Sequence, residues 1–281
     1  MLKNKIFRGK NINLIFFLPI FFLIVNCSKE DTPPPTPTGQ SKQYTIFNTN
    51  LSDLIGTVDF IENTNGSTTI YLKLNNSTKG NNNPVRLRRK TANIGGGIAV
   101  DLQSVNGENG TSNTTLTKLE NGESISYEQL AEFNGYIAIE GENENEGALL
   151  AYTDLGPNEL TGEKVTYNLY SPDGVFNGLA TLEERKKGTA ALMIGLLEID
   201  NESELLCTLN ILQENSEEEY VHQLSSITSE SNGFSFNELT EINGVATTYE
   251  EILEINGYIE VGDPNNTISF KAKGGIGSNT D

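Results

Sequence analysis

Tryptophan is absent from this 281-residue chain, histidine occurs once (His222), and the only cysteines are Cys27 and Cys207. So few imidazoles and thiols exclude most transition-metal enzymes, zinc ribbons, Ser-His-Asp triads and disulfide scaffolds. Positive charge is scarce as well: 19 Lys and Arg stand against 38 Asp and Glu, a formal net charge of −19. That surface repels phosphate polymers, which argues against nucleic acid as a partner, while self-repulsion favours solubility. Glycine is plentiful (27 residues), together with Asn, Thr and Ser. This composition suits short strands joined by tight turns better than a helical bundle.

Lys3, Lys5, Arg8 and Lys10 precede an apolar run of 12 residues, 14–25. As a helix the run would be about 18 Å long, well short of the roughly 30 Å hydrocarbon core, so it reads as the h-region of a signal peptide (residues 1–26). It ends at Ile24-Val25-Asn26-Cys27, which resembles the lipobox of bacterial lipoproteins, with Asn26 replacing the usual small residue as in the looser lipoboxes of Bacteroidetes. The resemblance implies that Cys27 is acylated, and that several acyl chains, at ~0.8 kcal/mol per buried CH₂, hold the protein on a membrane. An ordinary secreted protein with a coincidental cysteine is the plainer alternative. Loss of residues 1–26 removes four positive charges and takes the formal charge from −19 to −23.

Ser28-Lys29-Glu30-Asp31 resembles the acidic surface-export signal of Bacteroidetes lipoproteins. The expected location is therefore the bacterial outer membrane, lipid-anchored and surface-exposed. Thr32-Pro33-Pro34-Pro35-Thr36-Pro37-Thr38-Gly39 reads as an extended polyproline-II segment of roughly 25 Å, and residues 27–43 are expected to be a tether.

The remainder is an internal repeat at an offset of 122: Gly56 matches Gly178, Gly66 Gly188, Leu74 Leu196, Leu87 Leu209, Leu102 Leu224, and Asn134-Gly135-Tyr136-Ile137 matches Asn256-Gly257-Tyr258-Ile259. A register held that long predicts a tandem duplication, with domains at 44–162 and 163–281 and the copies beginning near Tyr44 and Thr166. Alternation over residues 57–62, a turn at Asn65-Gly66 and a run at 69–74 predict a hairpin. Residues 179–183 and 190–197 repeat it through Arg185-Lys186-Lys187-Gly188. Further strands are expected at 85–89, 98–102 and 136–139, and at 207–211, 220–224 and 258–261. Ser126-Tyr127-Glu128-Gln129 and Thr248-Tyr249-Glu250-Glu251 fit capping boxes, so each copy should hold one short helix. Asn134-Gly135 and Asn256-Gly257 are expected just past its last turn, at positive φ. The expected fold is all-β, two tandem Greek-key β-sandwich or barrel domains, each with one short helix.

The series Gly95-Gly96-Gly97-Ile98-Ala99-Val100-Asp101-Leu102, Asn121-Gly122, Ile125 to Leu130, Phe133-Asn134-Gly135-Tyr136-Ile137 and Asp154-Leu155-Gly156-Pro157-Asn158 resembles the CHRD (chordin-type) domain of bacterial lipoproteins. The resemblance covers most of the first copy and, through the repeat, the second. It implies an all-β extracellular module without an assigned activity. CHRD domains usually carry a His-x-His strand where this chain has Arg86-Leu87-Arg88, and often a further His at Glu140. Thr208-Leu209-Asn210 and Gly262 stand there in the second copy, so no histidine chemistry transfers.

Several residues invite a functional reading. Arg86, Arg88 and Lys90, spaced by two, should share a strand face opposite Val85 and Leu87, and could hold an acidic protein partner or a sulfated glycan; a solvated, charge-balanced face is the plainer reading. Arg89 would then point inward unless a bulge intervenes. Glu140, Glu142, Glu144 and Glu146, and the counterpart Asp263-Pro264-Asn265-Asn266, read as acidic loops without EF-hand spacing. Gly95-Gly96-Gly97 lacks the Lys-Ser/Thr of a phosphate loop. His222 and Cys207 read as structural, Cys207 as a buried small hydrophobe. No catalytic residue, metal ligand or cofactor is assigned. The expected role is non-catalytic binding, adhesion or envelope architecture, with a membrane met through the lipid and an extracellular protein or glycan as partner. The alternative is an extracellular carboxylate-dependent hydrolase acting on polysaccharide.

Overall fold

The structure, a computed structural model, describes residues 34–49, 54–142, 147–197, 204–213, 219–228, 231, 233–262 and 270–280. Cys27, the signal-peptide residues 1–26, the acidic stretch 28–31, Glu144, Glu146 and residues 263–266 lie outside the described residues.

The first repeat consists of β1 (Pro37–Asn48), β2 (Leu54–Asn63), β3 (Thr68–Leu74), β4 (Asn82–Arg89), β5 (Ile98–Asn106), β6 (Thr111–Leu116), α1 (Tyr127–Ala131), β7 (Gly135–Glu140) and β8 (Leu149–Asp154). Its strands close into an antiparallel barrel in the order β1-β2-β3-β6-β5-β4-β7-β8, with β6 returning beside β3 in a Greek key. Alternation places Ile46, Val58, Phe60, Ile70, Leu72, Leu87 and Ile137 inside, and eight strands leave an interior that side chains can fill. Helix α1 plugs one end with Tyr127 and Leu130.

The second repeat consists of β9 (Leu160–Tyr170), β10 (Phe176–Arg185), β11 (Ala190–Leu196), β12 (Leu206–Leu212), β13 (Glu219–Gln223), β14 (Phe234–Leu239), the small pair β15 (Glu241–Ile242) and β16 (Val245–Ala246), α2 (Tyr249–Leu253), β17 (Asn256–Gly262) and β18 (Phe270–Gly277). Its sheet runs β13-β12-β17-β18-β9-β10-β11-β14. This is the same cyclic order, opened where β5 meets β6 in the first repeat through Asn106 and Thr111. At the open seam side chains replace the ladder: Ser225 N–H donates to Asn237 Oδ1 (2.7 Å), and the Ser235 hydroxyl donates to the Ser225 carbonyl (2.5 Å). The fold is thus all-β, a closed barrel followed by a curled sheet of like topology, with one short helix in each.

Both capping boxes form. Ser126 Oγ accepts from Gln129 N–H and Thr248 Oγ1 from Glu251 N–H, while each of these side chains reaches back to its cap. Gly66 and Gly188 turn their hairpins at φ +77° and +81°, which glycine adopts without a Cβ penalty.

Four expectations are corrected. Residues 37–43 belong to β1 and not to the tether, because they pair with β2 through Asp59, Phe60 and Ile61. Tyr44 matches Tyr167, since they pair with Val58 and Ala180 respectively, and both point inward; Thr166 is exposed. The boundary at 162/163 falls inside β9. Neither Gly135 nor Gly257 has positive φ: a Cβ at Gly135 would collide with the Arg88 carbonyl oxygen and lie 2.5 Å from the Phe133 ring, so close strand approach, not turn geometry, requires glycine.

Candidate functional site

Strand β4 carries Arg86 and Arg88 on its outer face, with Val85 and Leu87 buried behind. They are not a free row of cations. Glu140, expected in a loop, is the last residue of β7 and is buried. Because β4 pairs with β7, its carboxylate lies between the two arginines. Arg88 Nε donates to Glu140 Oε1 (2.8 Å), Arg86 donates to Oε2, and Arg86 Nε reaches Asp101 (2.9 Å). Arg88 Nη1 also donates to the Gly96 carbonyl. Two arginines thus meet two carboxylates and the local charge cancels. Lys90 has left the strand at φ +66°, and its carbonyl accepts from Asn158 Nδ2. Arg89 is exposed as the last residue of β4, with its guanidinium 5.7 Å from the Phe133 ring centroid; the register shift between β4 and β5 falls on β5, at Ala99.

The more elaborate constellation lies where the repeats meet. Asp154 ends β8, Leu155 leads into a single 3-10 turn (Gly156–Asn158), and β9 starts at Leu160, so the connection has no free linker. The turn of the β10–β11 hairpin binds back onto it: Lys186 N–H donates to Glu159 O and Lys187 N–H to Pro157 O, both at 2.9 Å. Arg185, 4% exposed, stands at the centre. It donates from Nη1 to Asp154 Oδ2 (3.0 Å), from Nε to Glu238 Oε2 (2.8 Å), and also to Glu238 Oε1 and the Asn158 carbonyl. Asp154 Oδ1 accepts from Ala92 N–H at 2.9 Å, so both its oxygens are engaged. Asn158, fully buried, donates to the Gly135 and Lys90 carbonyls and to Asn134 Oδ1, and accepts from Lys187 Nζ.

Burial pushes the Asp154 carboxyl up to about 6, with Arg185 and the Ala92 N–H pulling the other way. Desolvation raises Glu183 and lowers Lys187. Two hollows flank this network. A 390 Å³ cleft lies between Phe47, Tyr152, Asp154, Glu159 and Glu183; a 190 Å³ pocket lies between Asn93, Tyr152, Lys164, Met193, Phe236 and Asn237. Tyr152, Leu160, Glu183 and Arg185 belong to both. This junction is absent from the sequence reading. The signal that could have found it is divergence between copies: Arg185 and Asp154 stand where the partner repeat has Asn63 and Gly275.

His222 sits half-buried on β13 opposite Leu209, and desolvation lowers its pKa against the pull of Glu241. Cys207 is fully buried on β12, and burial pushes its thiol up to about 12. Among the described residues, no three His, Cys, Asp or Glu side chains gather where they could hold a metal ion, and no helix is long and apolar enough to cross a membrane. No family model, curated protein or solved structure matches the chain.

Proposed function

We propose that this is a lipid-anchored bacterial surface protein whose two CHRD-like β modules serve binding, adhesion or envelope architecture without catalysis. One observation carries the reading. The ionisable groups at the centre of the junction, Asp154, Glu238 and Arg185, are spent on one another and on backbone groups, so they brace the repeats and leave the outer surfaces to meet a partner. The lipobox-like segment before Cys27 supports the anchor. Cys27→Ala is expected to move the protein from the membrane fraction to the soluble fraction; unchanged association would remove Cys27 acylation as the sole anchor.

The carboxylate-dependent hydrolase has one feature in its favour, the raised carboxyl of Asp154 beside a 390 Å³ cleft. Hydrolysis would release reducing ends from a polysaccharide, and Asp154→Asn would abolish that release. The binding reading expects none from the unaltered protein.

A further inference from the structure

Equivalent outward positions on the two sheets carry different chemistry. On the second sheet, one cross-strand row over β10, β11 and β14 reads Thr181, Met193, Phe236, and the next reads Leu179, Gly195, Phe234. On the first, the same rows over β2, β3 and β6 read Asp59, Tyr71, Asn113 and Thr57, Lys73, Thr111. Over these two rows the first face is polar and charged and the second is uncharged and largely apolar; the second face turns acidic only in the next row, Glu183, Ala191 and Glu238, at the junction. Phe234 and Phe236 stack with ring centroids 6.2 Å apart at 30°, and Leu179 is 40% exposed. Gly195 explains how a ring can lie flat here: a Cβ on it would stand 2.9 Å from the Phe234 ring. The rings form a platform along the sheet, where a sheet facing only water would carry polar side chains.

The platform runs into the 190 Å³ pocket between the repeats, of which Met193 and Phe236 are walls and to which Asn93, Lys164 and Glu183 bring donors and acceptors. That space equals about six waters, the bulk of one pyranose ring. We propose that this surface binds a neutral polysaccharide, one sugar seated in the pocket and the chain continuing over Phe236 and Phe234. The apolar C–H face of a sugar covers an aromatic ring, while its hydroxyls, once desolvated, need the planar amide and carboxylate partners that the pocket offers. Charge selects among occupants. A net charge of −19 repels acidic polymers and a second copy of the chain alike; the six platform residues offer no carboxylate to a basic partner, and the two carboxylates at the pocket already have cations beside them, Glu183 opposite Lys164 and Glu238 paired with Arg185. This inference rests on the binding reading above and names its ligand class.

The test uses the full-length protein in detergent, incubated with insoluble cellulose, β-1,3-glucan, mannan and chitin, and with polygalacturonate as the acidic comparison. The unaltered protein should be retained on at least one neutral polymer. F234T/F236N copies the chemistry of Thr111 and Asn113 and should weaken that retention at least tenfold, whereas Tyr71→Thr on the first sheet should leave it unchanged. Met193→Lys, which puts a charge on the platform, provides a second loss-of-binding variant should the first fail to fold. Equal retention of the folded variants, retention on polygalacturonate alone, or no retention at all would overturn the proposal. So would a dimer in light scattering that F234T/F236N dissolves, which would assign the face to a second copy. A polymer that is bound and also shortened would uphold the platform and sink the non-catalytic reading.

Discussion

Arg185→Met keeps much of the side-chain bulk but removes the guanidinium shared by Asp154, Glu238 and the Asn158 carbonyl. Two carboxylates, on residues 8% and 3% exposed at the side chain, then lack a counter-charge. Breaking a buried network by removing one partner costs roughly 3–5 kcal/mol, which corresponds to a melting temperature about 6–20 °C lower for a folded unit of this size. The pH dependence has a definite sign. Burial holds the Asp154 carboxyl at about 6 against an ordinary 3.8, so folding takes up a proton between those values. Its contribution to stability is therefore greatest below that window and falls as pH rises through about 6. Arg185 is the main influence lowering this value, so its loss raises the carboxyl further and extends the penalty upward in pH. Scanning calorimetry near pH 5 and near pH 8 should show a larger deficit for the variant at the higher pH. Neutralising all three groups together (Arg185→Met, Asp154→Asn, Glu238→Gln) should recover part of the loss, because no unpaired charge is left buried. A variant that melts within about 2 °C of the unaltered protein at both pH values would refute the brace.

Two further expectations concern sites within single repeats. Gly135→Ala should destabilise by several kcal/mol in urea unfolding, because its Cβ overlaps the Arg88 carbonyl and the Phe133 ring; Gly66→Ala, with open space around its φ of +77°, should cost only about 1 kcal/mol of backbone strain. Equal costs would mean that β7 can move away from β4. Cys207, buried with its thiol pushed up to about 12, should resist a thiol-labelling reagent in the native protein at pH 8 and react promptly in urea; prompt native labelling would place it in an open, reactive environment.

The Greek-key sheets and their helices were legible because their determinants are local. Asn65-Gly66 and Gly188 mark hairpins, alternation marks strand faces, and Ser126 with Gln129 or Thr248 with Glu251 marks a helix start within four residues. The sites were less so. Glu140 sits in a run of glutamates and asparagines that resembles a loop, and only pairing with β4 makes its carboxylate the buried partner of Arg86 and Arg88. Asp154 gathers partners 31 and 62 residues away, distances at which neither periodicity nor turn chemistry carries information. Arg185 stood among the residues of a basic turn, where nothing local distinguishes a brace from a solvated charge. The positive φ expected at Gly135 failed for a related reason: a close approach by a distant strand demands the same residue as a left-handed turn.

The brace also gives the tandem a direction. Were the repeats joined in the reverse order, their meeting place would be built from Gly275, Asn63 and Thr115, the residues equivalent to Asp154, Arg185 and Glu238, and no ion pair could form. Asn63 already serves its own hairpin through Ser67 and Thr69. The two halves, alike in strand order, thus have distinct ends: the leading one offers an acid, Asp154, and the trailing one answers with a base, Arg185.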